Sequence, residues 1–299
     1  VKRDREAERA AGDVEAAGTS APGSLRRLSE GDFLRLSTFI QQELGIKMPP
    51  AKKALLESRL QKRLRALGCG TFSEYCDALF GPGGMERELV FMLDLVTTNK
   101  TDFFRESHHF DLLVKSILPA VASGPGRRVS LWSAGCSTGE EPYTLAMVLS
   151  EFASGRPGLG FDFEILATDV STRVLEAACK GIYKEERLAP VPEAFRRRYF
   201  LRSRDRSSGL VRVAPEAREK VRFARLNLMD EEFPVEGPFD IIFCRNVIIY
   251  FDRETQERLM WKFCSHLKAG GYLFLGHSET LSGLGLPLTK VGASVYMKC

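Results

Sequence analysis

The chain is most easily narrowed by what it lacks. None of its 299 residues fall in a run near the roughly 18–20 apolar residues that a membrane-crossing helix requires, so direct membrane insertion is not expected. The first 24 residues are rich in Ala, Gly, Arg and Glu and lack the apolar centre of a signal peptide, so a cytoplasmic location is expected. Histidine is scarce, and the seven cysteines are scattered without a C-x-x-C pair or a histidine at ligand spacing; neither a metal site nor a disulfide is expected. The net charge of +4 is too small to imply a nucleic-acid partner by itself. A complete G-x-G-x-x-G is also missing, which weighs against a dinucleotide-dependent dehydrogenase.

What is present, 44% hydrophobic residues, suffices for one sizeable domain or two unequal ones. Residues 1–24, poor in aromatics, read as a disordered leader. Residues 25–96 read as a small all-helical domain: Ser29 caps a helix carrying Phe33, Leu36, Phe39 and Ile40, Lys52 to Leu67 is closed by Gly68, and Thr71–Leu79 and Met85–Val96 follow. Residues 97–106 form a linker of unusual composition. From 107 to 299, short apolar runs alternate with helical segments, as a parallel sheet with crossover helices requires. The expected strands are Val129–Trp132, Phe163–Ala167, Val221–Leu226, Phe239–Phe243, Gly271–Gly276 and Ser294–Lys298. Between Gly181 and Val221 the pattern breaks, and Arg196–Arg202 with Leu210–Val213 read as an antiparallel hairpin, a β-subdomain inserted at about 190–220.

Three of the strands stop at polar clusters: Ser133-Ala-Gly-Cys-Ser-Thr-Gly-Glu-Glu141, Thr168-Asp169 and Cys244-Arg245-Asn246. In an open α/β sheet such ends line one edge, where ligands bind. Gly135 and Gly139 suit a chain leaving a strand close to a ligand, although a plain tight turn is the equal alternative. Glu140 and Glu141, at a helix start, disfavour a phosphate and favour a cationic group. Asp169 can accept both hydroxyls of a ribose, and it can also cap the next helix. Asn227 and Leu228 stand where an adenine edge and face would be read. A ribose, an adenine, a positive centre and no phosphate together point to S-adenosylmethionine. Arg245, Asn246 and Tyr250 put polar groups at a sheet edge where packing alone would not ask for them. His108 and His109 are adjacent on a helix and expected to point apart, so neither is assigned chemistry.

With these residues in view, the chain resembles the CheR family, the bacterial chemoreceptor glutamate O-methyltransferases. The resemblance runs from Ser29 to Lys298 and rests on Thr97-Thr-Asn-Lys-Thr-Asp-Phe-Phe-Arg105, Ser133 to Tyr143, Ala167-Thr-Asp169, Phe243 to Asp252 and Gly276-His-Ser-Glu279. It implies an α/β fold: a Rossmann-like S-adenosylmethionine-dependent methyltransferase domain with a small antiparallel β-subdomain inserted, preceded by a small all-helical substrate-recognition domain. It also implies that Asn99, Thr101, Arg105, Glu141, Asp169, Asn227, Leu228, Arg245 and Asn246 contact the cofactor, with Arg105, Arg245 and Tyr250 near the transferred methyl; Gly135 and Glu140 join the cofactor candidates from the strand-end reading.

A basic helix supplies the substrate side. Lys52, Arg59, Lys62 and Arg63 stand opposite an apolar stripe and are expected to attract the Glu-rich methylation helices of a chemoreceptor's cytoplasmic region; a plain solvated face is the alternative. The expected protein is a monomer with no nucleic-acid partner, converting S-adenosylmethionine to S-adenosylhomocysteine. A nucleic-acid methyltransferase and a non-catalytic receptor-binding adaptor are the rival readings. Against the first, Arg245-Asn-Val-Ile-Ile-Tyr250 has no proline; against the second stands the intact set of polar site residues.

Overall fold

The computed structural model describes residues 27–97, 99–123 and 127–299; the expected leader at 1–24 and Thr98 of the linker motif lie outside the described residues. Four helices come first: α1 (Glu30–Leu44), α2 (Lys53–Leu67), α3 (Phe72–Phe80) and α4 (Gly84–Val96). Ser29 starts α1, its hydroxyl oxygen accepting the Asp32 N–H at 3.0 Å. Gly45 and Gly68 end α1 and α2 at φ 67° and 70°, a left-handed turn that a residue without Cβ enters freely. Phe33, Leu36 and Ile40 of α1 meet Leu56, Leu60 and Leu64 of α2 in one buried cluster, each side chain contributing about 1.5–3 kcal/mol.

The remainder alternates strand and helix. In chain order it holds α5 (His108–Leu112), α6 (Leu118–Val121), β1 (Arg128–Ala134), α7 (Glu140–Ser154), β2 (Asp162–Asp169), α8 (Thr172–Lys180), β3 (Ile182–Lys184), α9 (Glu193–Tyr199), β4 (Phe200–Arg202), β5 (Leu210–Val213) and α10 (Pro215–Arg218). There follow β6 (Val221–Arg225), β7 (Phe239–Cys244), α11 (Arg253–His266), β8 (Leu267–Leu275), β9 (Leu288–Gly292) and β10 (Val295–Lys298). The main sheet has seven strands in the order β6-β2-β1-β7-β8-β10-β9. Within this sheet, among the described residues, only the pairings of β10 are antiparallel. Every residue of β7 is buried, as a parallel strand covered on both faces should be. From β1 the chain works outward through β2 to β6, then returns to the other side of β1 at β7. This reversal opens a crevice at the carboxyl ends of β1 and β7.

The inserted region departs from the expected hairpin. Arg196, Arg197 and Arg198 are helical, in α9, where three cations near a helix end complement its dipole. The small sheet has three strands, β3-β5-β4, and its first strand comes from before residue 190. Strand β9 was not expected: Leu288–Gly292 is an edge strand, half-exposed to exposed along its length, without the alternation that marks a strand packed on one face.

The two parts of the chain meet at several points. The Asn227 side chain donates to the Glu43 carbonyl at 2.7 Å, and the Lys47 amide donates to the Tyr250 carbonyl at 3.0 Å. A Cβ on Gly45 would lie 2.6 Å from Met229 Sδ, so the turn closing α1 packs directly against the sheet domain.

Candidate active site

At the carboxyl end of β1 the chain turns at Gly135, with φ 80°, and a Cβ there would lie 2.6 Å from Val247 Cγ2. The Gly135 and Cys136 amides donate to the Thr168 carbonyl of β2 at 2.8 and 2.9 Å. Asp169, at the end of β2, then latches the loop: its carboxylate accepts from the Ser137 amide at 2.9 Å and the Ser171 amide at 3.0 Å, one on each oxygen. Burial pushes its pKa up, opposed by the Ser171 and Ser137 amides. An ionised carboxylate has about four acceptor positions, so one remains open on each oxygen, the requirement for a ribose diol.

Opposite Asp169, Arg245 leaves the end of β7 with its side chain only 2% exposed. Its guanidinium pairs with Glu106 at 3.1 Å and Glu141 at 3.2 Å, donates to the Arg105 carbonyl, and lies 5.6 Å from the Phe110 ring centroid. Its Nε is buried without a partner in the described structure, an orphan donor at the cavity wall. Glu141 also accepts from the Ser133 hydroxyl at 2.8 Å, and burial raises its pKa against the pull of Arg245.

Asp169 and Arg245 border one cavity, open to solvent. Asn99, Thr101, Gly135, Asp169, Asn227, Leu228, Arg245, Asn246 and Tyr250 line it together. Leu44 and Ile46 close one side from the helical part of the chain. An anionic pocket for hydroxyls, an apolar surface at Leu226 and Leu228, and a buried cation suit a nucleoside carrying an amino-acid tail.

Other expected residues stand elsewhere. Glu140 is buried behind the loop, paired with Arg187 at 2.8 Å and accepting from the Thr138 hydroxyl at 2.6 Å. Arg187 also pairs with Asp102 at 3.0 Å, so this acid fastens the linker and does not face the cavity. Arg105 borders the site without lining it, donating to the Lys100 carbonyl at 2.9 Å. The Asn227 side chain is committed to Glu43 and to the Met229 amide, and its carbonyl accepts the Asp230 amide, which leaves its backbone N–H for an adenine edge. Of the basic helix, Lys62 is exposed and Lys52 lies 5.8 Å from the Tyr250 ring centroid. Arg59 instead donates to the Val96 and Thr97 carbonyls, and Arg63 forms a bidentate pair with buried Glu88, two bonds of 2.6 Å among them. His108 and His109 do not point apart: their ring centroids are 4.2 Å apart. His109 is buried, its Nε2 3.1 Å from the Ala293 carbonyl, and burial lowers its pKa to about 4.

Two acids were not singled out by role in the sequence. Glu279 is buried and accepts the backbone amides of Gly276, Asn246 and Ile249, which holds Asn246 at φ 59° and fixes the turn that presents Tyr250. It lies just beyond the end of β8, as Asp169 lies at the end of β2, a signal available in the sequence. Glu106 joins Arg245, Asn246 and the His277 amide, and only its adjacency to Arg105 hints at this.

Comparison with known proteins bears on both parts of the chain. Residues 31–97 match the CheR methyltransferase all-alpha domain, and residues 99–297 match the CheR methyltransferase SAM binding domain. The chain is 42% identical over 269 residues to the chemotaxis protein methyltransferase of Klebsiella aerogenes, covering 90% of each. It is 41% identical to that of Escherichia coli, covering 90% of this chain and 91% of that one. The corresponding protein of Borreliella burgdorferi is 41% identical over 260 residues, 86% of this chain and 90% of its own. The chain therefore belongs to the CheR methyltransferase family, with S-adenosylmethionine as its cofactor and a Rossmann-like domain joined to an all-helical one.

Proposed function

We propose that the protein methyl-esterifies glutamate side chains on the cytoplasmic helices of methyl-accepting chemoreceptors, acting as a monomer in the cytoplasm. The observation that carries this reading is the set of ionisable groups lining the cavity: among the described residues these are Lys100, Asp169, Arg245 and Tyr250. Asp169 is latched by two amides and Arg245 by two carboxylates, so neither is placed to take a proton from an acceptor. A glutamate side chain, with an ordinary pKa near 4.3, arrives already ionised and needs no general base. An amine or hydroxyl acceptor would need one.

When bound, the cofactor supplies a sulfonium-activated methyl group. The protein's part is then binding and alignment, an orientation effect. Asp169 offers its open acceptor positions to the ribose, and the Asn227 backbone with Leu228 takes the adenine. Arg245 and Asn246 hold the amino-acid end, and Arg105 or Arg245 orients one oxygen of the acceptor carboxylate. Tyr250, beside Lys52 at the rim, positions the reacting pair. Lys62 on α2 and Lys52 just before it can meet an acidic receptor helix, whereas Arg59 and Arg63 keep the linker and α4 in place. Acceptor binding should therefore weaken as salt rises, but less than four free charges would give.

The test is methyl transfer from radiolabelled S-adenosylmethionine to the cytoplasmic region of a cognate chemoreceptor, followed by alkali. Label released as methanol is expected, the mark of a carboxyl ester. Alkali-stable label, or none with the cofactor bound, would overturn the assignment of the acceptor.

A further inference from the structure

We infer that Glu106 is a positioning residue that fixes Arg245 and Asn246 at the cavity wall and, by balancing the charge of Arg245, lowers the electrostatic penalty that the cavity imposes on a sulfonium cation relative to its neutral thioether product.

The geometry is specific. The Glu106 carboxylate receives three donors from separate parts of the chain: Arg245 Nη2 at 3.1 Å, Asn246 Nδ2 at 3.2 Å and the His277 amide at 3.1 Å. Arg245 and Asn246 line the cavity, and Glu106 stands behind them. The backbone is bent to deliver it, since Phe104 and Glu106 both have positive φ, 53° and 55°, although neither is glycine. Such conformations are strained in residues with a Cβ and persist only where surrounding contacts hold them. Here they turn the Arg105 carbonyl toward the Arg245 guanidinium and the Glu106 carboxylate toward the same group. A plain salt bridge would not need two left-handed residues around one arginine.

The charge argument follows from position. Arg245 is buried, so its field in the cavity is weakly screened. S-adenosylmethionine brings a sulfonium that S-adenosylhomocysteine lacks, so the two differ by one positive charge. Glu141, the other partner of Arg245, has its pKa pushed up by burial, whereas at Glu106 the opposing burial effect is outweighed by Arg245, the His277 amide and Asn246, which hold its carboxylate below the ordinary range. Glu106 is thus the more dependable counter-charge. A unit charge left unbalanced about 10 Å from another, at an effective dielectric near 20, weakens binding by roughly a factor of ten.

Two variants separate charge from shape. In Glu106→Gln, one amide oxygen can still serve Arg245 and the His277 amide, and Asn246 can flip its own amide to meet the new N–H; the charge alone is lost. In Glu106→Asp the charge stays and the carboxylate is drawn back by one methylene. Titration calorimetry of each variant with S-adenosylmethionine and with S-adenosylhomocysteine gives the ratio of their dissociation constants, with thermal unfolding as the check on folding. Glu106→Gln should weaken S-adenosylmethionine about tenfold and the product less than threefold; Glu106→Asp should weaken both alike. Equal loss for both ligands in Glu106→Gln, or no loss for either, would overturn the inference. Should Glu106→Gln not fold, Glu106→Asp decides: an unchanged ratio with weaker binding supports the inference, and a changed ratio, or unchanged binding of both, overturns it.

Discussion

Replacing Asp169 with Asn separates two duties of one carboxylate. In the protein its oxygens accept the Ser137 and Ser171 amides, one each, and each has one position left for a ribose hydroxyl. A carboxamide has a single acceptor oxygen, so one loop amide faces an N–H and loses its partner, a cost of about 1–3 kcal/mol. Working against that loss, the buried charge disappears; the Asp169 pKa is raised by burial, so removing its charge at neutral pH relieves an unfavourable term. These effects oppose each other, and the net change in unfolding free energy should stay within about 2 kcal/mol. Cofactor affinity has no such compensation, because one hydrogen bond to a charged acceptor is lost, about 1.5–3 kcal/mol or roughly ten- to a hundred-fold. The assay pairs calorimetric binding of S-adenosylmethionine with urea unfolding of the ligand-free protein. Binding unchanged within threefold would refute the ribose assignment, and a loss of stability above about 4 kcal/mol would mean that the latch outweighs burial.

Other outcomes follow from the same contacts. Tyr250→Phe should lower turnover at least tenfold while leaving cofactor affinity within about threefold, measured by steady-state kinetics beside calorimetry; unchanged turnover would remove Tyr250 from the mechanism. Arg63→Ala strands the buried Glu88 carboxylate and should cost about 3 kcal/mol in urea unfolding, with a value under 1 kcal/mol contradicting a structural role for the pair. Glu106 has a lowered pKa in the folded state, so its contribution to stability is complete above the ordinary carboxylate range and is lost as pH falls through the lower folded value. The stability advantage of the wild type over Glu106→Gln should accordingly be flat near neutrality and decline as pH falls below the ordinary carboxylate range, which a series of unfolding curves would reveal.

The reach of sequence reasoning is clearest at β7. Phe239–Cys244 is apolar apart from Asp240, and Arg245-Asn246 breaks that run where a ligand edge belongs; the strand and the place of these two residues at the cavity were both legible. Asp169 was legible for the same reason. What escaped depended on partners far along the chain. Glu106 meets Asn246 across 140 positions, and Glu279 meets the Asn246 amide across 33, distances that no local pattern records. The basic helix illustrates the reverse error. Periodicity placed Arg59 and Arg63 on a cationic face, but only the fold reveals that Arg63 is matched by Glu88 on α4 and Arg59 by carbonyls at the start of the linker. The arginines of α9 were taken for strand because a charged stretch beside Tyr199-Phe200 fits either state until its neighbours are known.

The cavity has one wall from the helical part, at Leu44 and Ile46, and the facing wall from the sheet, at Asp169, Arg245 and Leu228. Its occupant therefore acts as mortar between two blocks. Any ligand that binds only the joined arrangement stabilises it in proportion to the logarithm of its concentration over its dissociation constant. The cell's supply of S-adenosylmethionine then sets, beyond the rate of methyl transfer, how firmly the helical block stays seated on the sheet.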